Sequence, residues 1–142
     1  MAKISASTVN GVREILVNLD IKQALLLKKF EEGLVKAGLH LQRVSQGKVP
    51  VEFGNLKASA YTRKKNSGAK TEVYVGYTAE YALWVHEKVG MKLKGKPRRP
   101  SPPHIGRYWD PQGRAQAKFL EEPARTEVPK MRSIIIEHAK IR

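Results

Sequence analysis

Histidines and carboxylates are the groups from which this chain could build a proton-transfer or metal site, because its 142 residues include no cysteine. The four histidines, His40, His86, His104 and His138, lie far apart in sequence, and no two have the i, i+4 spacing of a helical metal pair. One of them, His86, is followed directly by Glu87, which sets an imidazole beside a carboxylate. The pair is either a general base with its orienting acid or a polar pair that caps or joins after an apolar run. Catalysis needs convergent groups, and the remaining candidates are few and scattered, so the structural reading is preferred. Gly90, Gly95 and Gly106 do not form a phosphate-binding fingerprint followed by a helix. No enzyme activity, cofactor or metal ligand is expected.

Basic side chains carry more information. The chain has 27 Lys and Arg against 13 Asp and Glu, a formal charge of +14 that repels itself and favours an anionic partner. Lys57, Arg63, Lys64, Lys65 and Lys70 form one cluster, read as a solvated face. Lys88, Lys92, Lys94, Lys96, Arg98, Arg99 and Arg107 form a second, and a partner is expected for it. Tyr108 and Trp109 follow the second cluster and either stack on bases or anchor the segment to a protein.

The elements that must position these groups follow from patterning. Composition, with 41% hydrophobic residues, suits one domain over 1–142 with an excursion. Leu26, Phe30, Leu34, Ala37, Leu41 and Val44 recur at spacings of three and four, which predicts an amphipathic helix over about 21–46. Asp20 with Gln23 has the spacing of a capping box, and Gly47 and Pro50 supply stop signals. The stretch before Asp20 is expected to form a short separate helix with 18–20 as the joint, and "NLKASA" a helical turn. A hairpin is predicted over about 57–77, where Val73 and Val75 alternate with Tyr74 after Asn66-Ser67-Gly68.

"AEYALWVHE", with Tyr81, Leu83, Trp84 and Val85, is too apolar for a loop and is expected to pack on the hairpin or on another subunit. Trp84 and Phe119 are read as large buried anchors. Residues 88–107 hold seven basic side chains, no acid, four prolines and three glycines, a composition that predicts an irregular arm or an extended hairpin. Twenty residues reach at most about 70 Å. A C-terminal helical segment is predicted over about 122–140, with Pro123 or Pro129 in a first turn. The fold class is therefore α+β: a long amphipathic helix on a small antiparallel sheet, a basic arm and a C-terminal helix. The longest early apolar run, Ala24 to Leu27, is too short to span a bilayer, so a soluble protein with no membrane partner is expected.

Three segments in this order resemble a known family. "VPVEFGNLKAS" matches a "P-V-D-T-G-x-L-x-x-S" element through Pro50, Val51, Gly54, Leu56 and Ser59, with Glu52 and Phe53 in place of the usual Asp and Thr. "YALWVHE" matches "Y-A-x-x-V-H-E" through Tyr81, Ala82, Val85, His86 and Glu87. "AKFLEEP" is similar to "G-x-A-K-F-L-E-x-P" through Ala117, Lys118, Phe119, Leu120, Glu121 and Pro123. Together they resemble the minor structural proteins of tailed bacteriophages that include tail-completion, neck and head-to-tail joining proteins, sometimes called gene-product-ten-like.

The resemblance covers about residues 20–125. It implies a non-enzymatic adaptor of the virion neck, assembled in the host cytoplasm as a ring of its own copies, usually hexameric. It also implies connector or portal-side proteins on one side of the ring and tail terminator or tail tube proteins on the other. The residues expected to make subunit or partner contacts are Tyr81, Trp84, His86, Glu87, Lys92, Lys94, Lys96, Arg98, Arg99, Arg107, Trp109 and Phe119. A second reading remains open, a basic nucleic-acid-binding protein without sequence specificity, with possible contact of the arm with genome DNA.

Overall fold

The computed structural model describes residues 6–51, 54–68, 70–89 and 114–140, with side chains from residue 11 onward. Its first element, α1 (Ala6–Gln46), is one unbroken helix. This corrects two expectations: the helix does not begin near Ile21, and the stretch before Asp20 belongs to it, from Ala6 on, with no joint at 18–20. The chain from Val12 to Glu32 contains neither glycine nor proline, so nothing there interrupts the hydrogen-bond ladder. Asp20 lies inside the helix, where the backbone N–H groups that a capping box needs are already used. The stop is where the sequence places it: Gly47 N–H donates to the carbonyls of Arg43 and Val44, and Pro50 follows.

A short α2 (Asn55–Ala58) leads into β1 (Ala60–Ser67) and β2 (Lys70–Tyr77), an antiparallel pair in register Ala60↔Tyr77 through Ser67↔Lys70. Gly68 begins the two-residue connection at φ +59, the left-handed backbone that tight hairpin turns require. One hairpin face lies along α1. Thr62 Oγ1 donates to Gln42 Oε1 at 2.6 Å, Thr71 Oγ1 to Glu31 Oε1 at 2.9 Å, and Ser45 Oγ meets the Tyr77 hydroxyl at 2.7 Å. Gly38 makes the approach possible, because a Cβ there would stand 2.7 Å from Val73 Cγ1 and 3.0 Å from Thr62 Cγ2.

The remaining elements are α3 (Ala82–Glu87), α4 (Glu121–Thr126) and α5 (Val128–Ala139). Pro123 falls in the first turn of α4 and Pro129 at the start of α5, positions where a missing N–H costs nothing. The chain of α5 runs antiparallel to α1: Glu127 just before it pairs with His40 at 2.8 Å, Ile135 and His138 close on Gly33, and Lys140 O accepts from Lys29 Nζ at 3.3 Å. The architecture is α+β, a long helix carrying a two-stranded sheet and a C-terminal helix, as the patterning predicts. Of the basic arm, Lys88 and Val89 are described, whereas Lys92, Lys94, Lys96, Arg98, Arg99, Arg107, Tyr108 and Trp109 lie outside the described residues.

Candidate interaction site

The three sequence motifs meet in space. Val49 and Leu56 from the first, Ala82 from the second and Phe119 from the third form one buried cluster, flanked by Tyr77, Ala79, Val85 and Leu120. Each motif residue has a local reason. Gly54 precedes α2 at φ +84, which a residue with a Cβ adopts only with strain. Ser59 turns its hydroxyl back onto the Leu56 carbonyl at 2.8 Å, closing that helical turn. Lys118 sits at φ +56, unusual for a residue other than glycine, and swings the chain so that Phe119, 1% exposed, points into the cluster.

Phe119 is the centre of the junction. The rings of Tyr77 and His86 both meet it edge-on, at centroid distances of 5.1 and 5.0 Å. The Glu121 backbone N–H points at His86 Nε2 at 3.3 Å, so that nitrogen accepts and the ring proton belongs on Nδ1. Nδ1 in turn donates to Glu87 Oε1 at 2.9 Å. Lys118 N–H donates to the His86 carbonyl at 2.8 Å, tying the end of α3 to the segment that carries Phe119. Nε2 thus joins α3 to α4, while Nδ1 holds Glu87, whose other carboxylate oxygen meets Lys118, so the His86-Glu87 pair ties α3 to the segment that leads into α4.

A charged rim surrounds this junction. Lys118 Nζ lies between Glu87 and Glu121, and Arg125 pairs with Glu121 at 2.7 Å. Hydrogen bonds from Lys118 and then His86 hold Glu87 below the ordinary carboxylate range, and Lys118 does the same for Glu121. Hydrogen bonds to Glu87 and then to Glu121 push Lys118 upward. On the far side Lys48 holds Glu122 down at 2.6 Å, and Gln116 also donates to that carboxylate. Burial raises the Tyr77 hydroxyl, opposed by its Ser45 hydrogen bond.

Trp84 departs from expectation. It is 62% exposed, with Tyr81 and Leu83 also outside, while Ala82 and Val85 supply the inward side of α3. An amphipathic one-and-a-half-turn helix can bury only one side, and here the small residues took it. The Lys88 ammonium stands 3.9 Å from the centre of the indole ring, covering one face. Of the residues singled out from sequence, Tyr81, Trp84, His86, Glu87 and Phe119 are brought together at α3 and the junction.

The largest apolar surface lies elsewhere. Every side chain from Val12 to Lys28 is exposed, and ten of the eighteen large exposed hydrophobic residues described belong to α1 between Val12 and Phe30. Phe30 also lines an open groove of about 390 Å³ with Val128, Met131, Arg132, Ile135 and Ile136. The sequence held a signal for this surface, since Val12, Leu16, Leu19 and Leu26 lie on the same three-and-four pattern as the residues after them, with Gln23 at the one polar position between Leu19 and Leu26.

Among the described residues no group of three or more His, Asp or Glu side chains could hold a metal ion, and no helix is long and apolar enough to cross a membrane. The chain matches no family model, no curated protein and no solved structure.

Proposed function

We propose that the chain is a structural virion protein of a tailed bacteriophage, a tail-completion or neck adaptor that works by assembly and performs no chemistry. In this reading copies close into a ring, hexameric in the family it resembles, between connector or portal-side proteins and the tail terminator or tail tube. The observation that carries the reading is the junction. Residues of three motifs, drawn from 49–123, pack around Phe119, and their polar members, His86, Glu87, Lys118 and Glu121, are engaged in joining α3 to α4. The ten large hydrophobic side chains exposed on α1 between Val12 and Phe30 mark an interaction surface, which an assembling subunit would supply. Deleting the gene from a phage that carries it is expected to leave filled heads and unattached tails, restored by the wild-type protein. Normal joining without the protein would overturn the reading.

A second reading has one observation in its favour. Arg63, Lys65 and Lys70 are exposed along the hairpin near its turn, which is a geometry that could follow a phosphate backbone. Changing Lys94, Lys96, Arg98 and Arg99 of the arm, together with Arg63, Lys65 and Lys70 of the hairpin, to Glu separates the two. An adaptor whose arm docks on acidic neighbours loses joining even on heads emptied of DNA. A nucleic-acid binder keeps joining there but loses duplex affinity, its salt slope falling by about 0.9 per phosphate contact removed.

A further inference from the structure

Resting on the reading of a ring of copies, we propose that the N-terminal half of α1 is the contact between copies. It packs between the same segments of two neighbours, with one apolar stripe against each.

The first stripe is Val12, Leu16, Leu19, Leu26 and Phe30, with Gln23 at the heptad position between Leu19 and Leu26. It runs on into Gly33 and Ala37, both buried, and at Gly33 the neighbour is α5. The carbonyl of Lys140, just past the end of α5, is bound by Lys29, and from there toward the N-terminus the same pattern is bare. Residues 11–28 span about 27 Å of helix. The seat that α5 occupies on α1 therefore continues, unfilled, with the spacing that receives another helix.

The second stripe is Val17, Ile21 and Leu25, 53%, 60% and 43% exposed, on roughly the opposite side of the helix at about 100° per residue. A two-fold pair would use one patch twice and leave this stripe in water. A closed ring of more than two copies uses two different patches on every copy. The location also suits like meeting like. Residues 11–29 hold four basic side chains (Arg13, Lys22, Lys28, Lys29) and two acidic ones (Glu14, Asp20), a net +2 out of the chain's +14. Copies repel one another less along this segment than along 88–107, which carries seven basic side chains and no acid. The chain's own basic arm, with four prolines and no acid in 88–107, has no apolar stripe to lay there.

Two double variants test this: Leu16→Glu with Leu19→Glu breaks the first stripe, and Val17→Glu with Ile21→Glu breaks the second. All four side chains are exposed, so the fold is retained, which far-ultraviolet circular dichroism checks. Sedimentation velocity in high salt, which screens the positive charge, reads the assembly. The wild type is expected to form a closed oligomer and each variant alone to be a monomer. An equimolar mixture of the two is expected to stop at a heterodimer, because one intact stripe of each kind remains. If the second-stripe variant associates as the wild type does, or both variants still form the wild-type oligomer, the helix contact is wrong while the ring stands. A wild type that stays monomeric overturns ring and contact together, including one that instead binds acidic lipid vesicles.

Discussion

Phe119 and Trp84 show how differently two aromatic side chains can be used within one small protein. Phe119 is closed in by Tyr77 and His86 at the point where three distant segments meet, so Phe119→Ala is expected to cost about 3–5 kcal/mol in chemical denaturation. Trp84→Ala, on the exposed side of α3, is expected to change stability by less than about 0.5 kcal/mol. The rim makes its own prediction. Glu87, Glu121 and Glu122 are held down by cations, so their contribution is fully present above the ordinary carboxylate range and is lost as pH falls through their lowered values. Lys118 is raised, so its share holds at neutral pH and is lost only as pH climbs past its raised value. Stability measured against pH should therefore be level near neutrality and fall in acid, and Lys118→Met should flatten the acid limb. None of this could be read in advance from composition. The resemblance picks out the residue types at 86, 87, 118 and 121, but the left-handed backbone at Lys118, which brings them together, has no sequence signature in a residue other than glycine or asparagine.

Two glycines of α1 look alike in sequence and are opposite in effect. Gly11 has nothing within 4 Å of where a Cβ would stand, so Gly11→Ala should stabilise the helix by about 1 kcal/mol. Gly38 is the crossing point of the hairpin. There Gly38→Ala earns the same helix gain but drives a methyl into the stiff side chains of Val73 and Thr62, an overpacking cost of about 1–3 kcal/mol, and net destabilisation in thermal unfolding is expected. A glycine inside a helix reads as a simple penalty until the neighbour is known, which is why neither role was legible. The hairpin, the stop at Gly47 and the C-terminal helix were legible, because turn chemistry and periodicity act locally. The start of α1 was not. Asp20 and Gln23 have the spacing of a cap, yet spacing cannot reveal that the backbone ahead of them is already helical.

At the scale of the whole molecule, buried and bare apolar surface are out of proportion. Among the described residues five hydrophobic side chains are buried, Ala37, Val49, Leu56, Ala82 and Phe119, against ten large ones exposed on α1 alone between Val12 and Phe30. Assembly that covers that helix adds stability by mass action. The unfolding midpoint is therefore expected to rise with protein concentration, and Leu16→Glu with Leu19→Glu should remove that dependence. The antiparallel seat of α5 on α1 also imposes a timetable. During synthesis α1 leaves the ribosome first, but the segment that closes on Gly33 and Phe30 is made only when the chain has reached Ala139. At ordinary elongation rates that interval is about 5–20 s. For that time the side of α1 that α5 covers stays open to chaperones or to a neighbouring nascent chain on the same message.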